Sequence, residues 1–321
     1  MTITKLAWRD LVPDTESYQE LFAQPELAKE HEFILSDTQP RLHYALEQVL
    51  SPWATAPFML LKAPEEAEYL TLLGDAVRQL KPEANAVFGG QYRIAGHDVT
   101  FEPAAQADGR FAAKGEVITA NWVEAEQLFG CLRQFNGELS LQPGLVHRAN
   151  GGVLIISLRT LLSQPLLWMR LKTIVHQQRF DWVGYDESRP LPVSVPSMPL
   201  SLTVVLTGDR ESLADFQEME PELAEQAVYS EYEDNTQIAD ADDMAQWCQW
   251  VMAVAERFAL PTPAADAWPG LIREAVRYTG DQETLPLCPL WIGKQLREVG
   301  VISGNGAFTG EQLTQMLAQR E

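Results

Sequence analysis

Two stretches of this chain pass, within a handful of residues, from an unbroken apolar run to the spacing of an amphipathic helix, and that switch restricts the fold more than anything else in the sequence. The first is FMLLKA, starting at Phe58, followed by EEAEYLTLLGDAVRQL with Leu70, Leu73, Val77 and Leu80 on one face. The second is GGVLIIS, ending at Ser157, followed by SQPLLWMRLKTIVHQQ, where Pro165 suits a helix start and Leu167, Leu171, Ile174 and Val175 point inward. LSLTVVLTGD reads as a third buried strand. ESRPLPVSVPSMP just before it is too rich in proline to be a central one. Strands alternating with helices predict an α/β fold with a parallel sheet flanked by helices.

A further helix is expected in SDTQPRLHYALEQVL, capped by Asp37 or Thr38, with Pro40 in its first turn and Leu42, Ala45, Leu46, Val49 and Leu50 on one side. From Val87 to about Gly115 the pattern suggests a hairpin and loops. Strand signals cease beyond about Asp240. Met244, Trp247, Cys248, Val251, Ala255 and Phe258 mark one amphipathic helix, Trp268, Leu271, Ile272, Ala275 and Val276 another, and two more follow near Leu290 to Val299 and from Gly310. The expected division is an N-terminal segment over 1–35, an α/β subdomain over 36–240 and a smaller all-α, lid-like subdomain over 241–321. The last helix reaches Glu321 without a stop signal, as expected of a chain that continues.

A chain of 321 residues, 46% of them hydrophobic, can bury a sizeable core. Its 24 basic and 45 acidic side chains give a formal charge of -21, which repels nucleic-acid phosphate and anionic lipid, so neither nucleic acid nor membrane is an expected partner. No apolar run approaches the ~20 residues of a membrane span, and the first residues lack the basic-then-apolar pattern of a signal peptide, so a cytoplasmic location is expected. Cys131, Cys248 and Cys288 have neither metal-ligand spacing nor an even count, and read as small buried hydrophobes. No metal site is expected.

Where the first strand turns into its helix, a phosphate loop GxxxxGK[ST] would need glycines for backbone wrapping, a lysine for the β and γ charges and a hydroxyl for Mg²⁺. The matching register is Lys62, Ala63, Pro64, Glu65, Glu66, Ala67, Glu68, Tyr69, with Glu68 at the lysine position and Tyr69 at the hydroxyl position. A unit charge set ~4 Å from a like charge at an effective dielectric of ~20 costs about 4 kcal/mol, so these carboxylates oppose a triphosphate. They also suit the positive end of a helix, and on these residues alone the ordinary reading, an acidic first turn, stands ahead.

The run QPGLVHRANGGVLIISLRTLL shifts that balance. Pro143, Gly144, His147, Ala149, Asn150, Gly151 and Gly152, with Leu128-Phe129-Gly130 before them, resemble the approach to the second nucleotide motif of Lon-type AAA+ proteins. In that family the following strand ends in two acids that hold Mg²⁺ and orient the attacking water. Here it ends in Ser157 and Leu158. The resemblance runs from about Ser36 to Leu317. Gly208-Asp209 falls at the family's sensor position, MEPELAEQAVYSEYED places Ala224 and Gln226 at its arginine positions, and ETLPLCPLWIGKQLREV resembles the sensor-2 helix with Cys288 or Pro289 near the basic residue.

The resemblance thus implies the AAA-like part of a Lon-family protease, in the branch with degenerate nucleotide motifs at Lys62, Glu65, Glu68, Tyr69, Ser157, Leu158, Asp209 and Gln226. It implies no cofactor and no catalytic residue in this chain, a homo-oligomer that is hexameric by resemblance, and unfolded polypeptide as substrate for a Ser-Lys protease domain absent from this chain. Two other readings stay open: an ATPase module that still binds nucleotide, and a stand-alone acidic adaptor. Phe135 falls where related modules expose an aromatic to a central pore, though a buried aromatic fits the sequence equally. Asp186 to Pro199 resembles a second pore-facing insertion or is a stiffened loop. The acidic run from Asp209 to Asp243 reads as a solvated face or a docking surface for basic partners. His147 reads as a hydrogen-bonded structural residue.

Overall fold

The three apolar runs become the three inner strands of one parallel sheet. The computed structural model of the protein describes residues 14–24, 34–81, 85–108, 110–184 and 190–320. Its main sheet comprises β1 (Phe58–Lys62), β2 (Val117–Ala120), β3 (Val153–Ser157), β4 (Thr203–Gly208) and β5 (Val228–Glu231), in the order β5-β1-β4-β3-β2. Every neighbouring pair is parallel. Phe58 to Leu61 and Val153 to Ser157 are buried without alternation, as in parallel strands joined by helical crossovers. The sequence reading had only the three inner strands. β2 and β5 are edges of four residues each, too short to leave a periodic signal.

The helices of six or more residues around this sheet are α1 (Pro40–Leu50), α2 (Ala67–Leu80), α3 (Leu158–Ser163), α4 (Pro165–Gln177), α5 (Arg210–Met219) and α6 (Pro221–Gln226). Pro165 and Pro221 stand in first turns, where the missing N–H has no intrahelical partner to lose. Trp168 of α4 joins the sheet core edge-on to Phe58, with ring centroids 5.8 Å apart, and packs on Phe216 of α5 at 5.1 Å. Burying side chains of this kind contributes roughly 1.5–3 kcal/mol each. Lys62 is in register with Gly208 and Thr207 with Ser157, so the carboxyl ends of β1, β4 and β3 lie side by side. That edge is where an α/β sheet places a ligand.

The expected hairpin region is a pair of antiparallel strands, Phe88–Ala95 and Asp98–Pro103. A second hairpin joins Cys131–Phe135 to Glu138–Gln142 through Asn136 and Gly137, both at positive φ (51° and 83°), the backbone a tight two-residue turn requires. Of the proposed insertion at Asp186 to Pro199, residues 186–189 lie outside the described residues. Met198–Pro199 pairs with Arg179–Phe180, and no other strand occurs in its described part.

The chain divides into two compact units, residues 41–232 and residues 233–321 together with 1–40. The second unit holds α7 (Ala241–Arg257), α8 (Trp268–Thr279), α9 (Pro289–Ser303) and α10 (Gly310–Ala318). Its core is aromatic: Trp268 stacks on Phe22 and meets Trp247 edge-on, and the Trp247 indole donates to the Pro286 carbonyl at 2.9 Å. A short antiparallel ladder, Asn235–Gln237 with Thr284–Pro286, was not foreseen by the reading that strands end before 240. Cys131 and Cys248 are buried and burial pushes the Cys248 thiol up, whereas Cys288 is half-buried and its Sγ caps α9 by accepting the Trp291 N–H. Among the described residues, no helix is long and apolar enough to cross a membrane.

Candidate functional site

Between β1 and α2 the chain passes through Ala63, Pro64, Glu65 and Glu66, and of the two acids Glu65 turns inward. Its side chain is only 8% exposed. Oε1 accepts the Ser157 hydroxyl at 2.6 Å and the Arg159 backbone N–H at 3.2 Å, while Oε2 lies 3.2 Å from Arg159 Nε. One carboxylate therefore ties the end of β1 to the first turn of α3. Hydrogen bonds to a charged group are worth about 1.5–3 kcal/mol each, enough to offset much of its desolvation. The Arg159 guanidinium is mostly exposed, so solvent screens the Coulombic part and the two short acceptor bonds carry the contact.

Arg159 acts on a second acid. Asp209 caps α5, its Oδ1 accepting the Ser212 N–H at 2.8 Å. Ser212, through its N–H and its hydroxyl, holds the Asp209 carboxyl below the usual carboxylate range, and the Arg159 charge adds to the effect. Lys62 belongs to a separate group at the neighbouring edge. Its Nζ is 2.6 Å from Glu231 Oε2, and Glu231 Oε1 accepts the Tyr229 hydroxyl at 2.7 Å. Those two donors hold the Glu231 carboxyl low, while burial first and the Glu231 bond second push the Tyr229 phenol up to about 12.

The remaining motif positions are structural or remote. Tyr69 is buried with its ring edge-on to Tyr232, centroids 5.1 Å apart, and Leu158 is wholly buried. Glu68 is half-exposed on the first turn of α2. Gln226 is exposed at the end of α6, where its backbone carbonyl accepts the Thr55 hydroxyl at 3.0 Å, and no hydrogen bond joins its side chain to Glu65 or Ser157. The fold thus joins Glu65 to Ser157 and Arg159, sets Asp209 within the reach of the Arg159 charge, and shows no such link for the Gln226 side chain. Sequence reasoning missed Arg159, Tyr229 and Glu231. Arg159 did leave a signal: a cation in the first turn of a helix opposes the macrodipole and asks for an anionic partner.

The residues of the Gly144–Gly152 run build scaffold. Gly144 N–H donates to His147 Nδ1 at 2.9 Å, and burial, aided by the Arg170 charge, lowers the imidazole to about 3. The ring sits neutral among Phe111, Phe180 and Trp182, and its buried Nε2 has no hydrogen-bond partner among the described residues. Asn150 clamps the lead into β4, donating to the Pro199 carbonyl and accepting the Ser201 N–H. A Cβ on Gly152 would lie 2.1 Å from the Glu116 carbonyl, and one on Gly151 2.2 Å from the Phe88 ring. These glycines permit close packing of the β2 and β3 lead-ins.

At the sheet edge Glu65 reaches from the β1–α2 turn, where a phosphate loop would lie, to the Ser157 hydroxyl and the Arg159 N–H at the end of β3, the strand end that holds the metal-binding acids in the ATP-using form. Ser157 is 1% exposed and is no accessible nucleophile. Among the described residues, no group of three or more His, Cys, Asp or Glu side chains could hold a metal ion. On the Cys131–Gln142 hairpin, Phe135 is 78% exposed, which removes the buried alternative for that ring.

A family model described as "LonB-like, AAA domain" matches residues 114–227, covering β2 to α6. A protein of Escherichia coli strain K12 described as "Putative Lon protease homolog" is 65% identical over all 321 residues, which make up 55% of its length. A protein of Haemophilus influenzae with the same description is 38% identical over 210 residues, 63% of this chain and 35% of that protein. The chain therefore spans about half or less of the curated relatives it matches. Among solved structures, NtrX from Brucella abortus aligns over 90% of this chain and 56% of its own, with 11% identity and a TM-score of 0.46, a likeness too distant to carry argument.

Proposed function

The chain is an AAA-like region of the Lon protease family, and from that premise we propose that it is a nucleotide-independent module, one that assembles a ring and admits unfolded polypeptide to a Ser-Lys proteolytic domain elsewhere in the protein. The observation that carries the reading is Glu65. Its carboxylate lies in the turn that would cradle phosphate and is fixed there by the Ser157 hydroxyl and the Arg159 N–H, which supports a site that keeps a permanent negative charge beside the place of a nucleotide's phosphates. Like charges at ~4 Å and an effective dielectric of ~20 repel by about 4 kcal/mol, which is about a thousandfold in affinity. The exposed Phe135, held at the tip of a stiff turn, supports a passive polypeptide-lining role. In this reading an aromatic contacts substrate without a power stroke. The charge of -21 supports exclusion of nucleic acid and anionic membrane.

The purified protein with Mg-ATP or Mg-ADP is expected to show no turnover, and crystals soaked in either nucleotide no density at the carboxyl ends of β1 and β3. ATP hydrolysis, or nucleotide density lying against Glu68 and Arg159, would favour the ATPase reading and overturn this one.

A further inference from the structure

Away from the Glu65 cluster, three cations converge on the outer edge of β2. Arg78, near the end of α2, Lys81, just beyond it, and Arg148 line a cavity of about 610 Å³ together with Glu116, Val117 and Thr119. In a chain of net charge -21 this is a local reversal of sign. We propose that this cavity binds a small anion bearing clustered oxygen charges, a polyphosphate or a polycarboxylate.

The arrangement has the parts such a ligand needs. β2 is an outer strand of the sheet and, among the described residues, pairs only with β3. Because the Val153 N–H donates to the Glu116 carbonyl, strand alternation turns the backbone groups of Val117 and Thr119 outward, to the cavity. Arg78 covers one of them, donating to the Val117 carbonyl at 3.3 Å while its other terminal nitrogen holds Asp75 at 2.7 Å. That places a guanidinium across the edge and leaves less room for an added strand than for a compact ligand. Arg148 is held only loosely, 3.5 Å from Glu116, with both side chains well exposed. Lys81 is half-buried, and no ion pair is seen between it and a carboxylate among the described residues. Burial lowers its ammonium below the ordinary lysine range. A cavity of this size is within the range of small-molecule sites. Guanidinium and ammonium groups are the side chains that recognise phosphate and carboxylate oxygens.

Pyrophosphate and citrate, titrated calorimetrically at constant ionic strength into the purified protein, distinguish the two sources of charge. Saturable binding of one ligand per chain is expected for at least one of them, and which one binds assigns the phosphate or carboxylate class. Lys81→Glu and Arg148→Glu are each expected to weaken it at least tenfold, and Glu116→Gln to tighten it severalfold by freeing Arg148. Near-UV circular dichroism of each variant checks that it folds. The absence of saturable binding by both probes, or binding that folded Lys81→Glu leaves within twofold, would overturn the proposal. ATP binding abolished by Lys81→Glu belongs to this cavity, whereas ATP binding that survives it bears on the Glu65 site, so the two proposals fail separately.

Discussion

Removing the Glu65 carboxylate strands the Ser157 hydroxyl and the Arg159 N–H together, whereas removing the Ser157 hydroxyl leaves Glu65 its other donors. Glu65→Ala is therefore expected to destabilise by about 3 kcal/mol and Ser157→Ala by about 1 kcal/mol, read from urea midpoints. Equal losses would mean that the carboxylate does not organise the edge. Glu65 and Ser157 were legible in the sequence because a known motif fixes their register. Arg159 was legible only as a first-turn cation in want of an anion, since which acid it meets depends on the bend from β3 into α3 that brings its side chain to Glu65. His147 gives a second expectation. Its imidazole stays neutral down to about 3 in the folded state and protonates near ~6.5 when unfolded, so the unfolded chain takes up the proton first. Stability should hold above ~6.5 and fall as pH drops below it, by at most about 1.4 kcal/mol per unit from this group. Denaturation midpoints measured from pH 7 to 4.5 should show the slope, and His147→Gln should remove this part of it.

At the scale of elements, what was legible depended on length and burial. FMLLK, VLIIS and the run at β4 are apolar and buried over all or nearly all of their length, so composition alone announced them, and the helices declared themselves through spacing and first-turn prolines. The four-residue edges β2 and β5 have one open side and need partners to be recognised as strands. Caps are the elements' most local energies. Asp209→Ala removes the acceptor for the Ser212 N–H and should cost about 1 kcal/mol, while Asp209→Asn, an equally good capping residue, should cost a few tenths. The Cys131–Gln142 hairpin supports a different kind of prediction. Phe135 is exposed, so Phe135→Ala should shift stability by less than about 0.5 kcal/mol. In a protease-bearing form of the protein, the same change should slow degradation of an unfolded substrate severalfold while leaving hydrolysis of a short peptide unchanged. Loss of both activities together would assign the ring to structure and remove it from the polypeptide path.

For the whole molecule, charge and the proposed ring pull in opposite directions. Each copy carries a formal charge of -21, and the repulsion grows with every subunit added to an assembly. Surface repulsion of this kind acts over the Debye length, about 30 Å at 0.01 M salt and about 8 Å at 0.15 M. Association held by apolar and hydrogen-bonded contacts gains as that field is screened, whereas association held by salt bridges weakens. An acidic module that forms a ring without nucleotide to bridge its subunits should thus assemble better as salt rises. Sedimentation velocity at fixed protein concentration is expected to show smaller species near 0.01 M sodium chloride and a shift toward a hexamer by 0.15–0.3 M, with no further change on adding Mg-ATP. A single-copy species across that whole range would remove the ring from the proposal. Assembly that appears only with Mg-ATP would return the Glu65 edge to the nucleotide-binding class, because then a bound polyphosphate would be supplying the contact that the fixed carboxylate is proposed to have replaced.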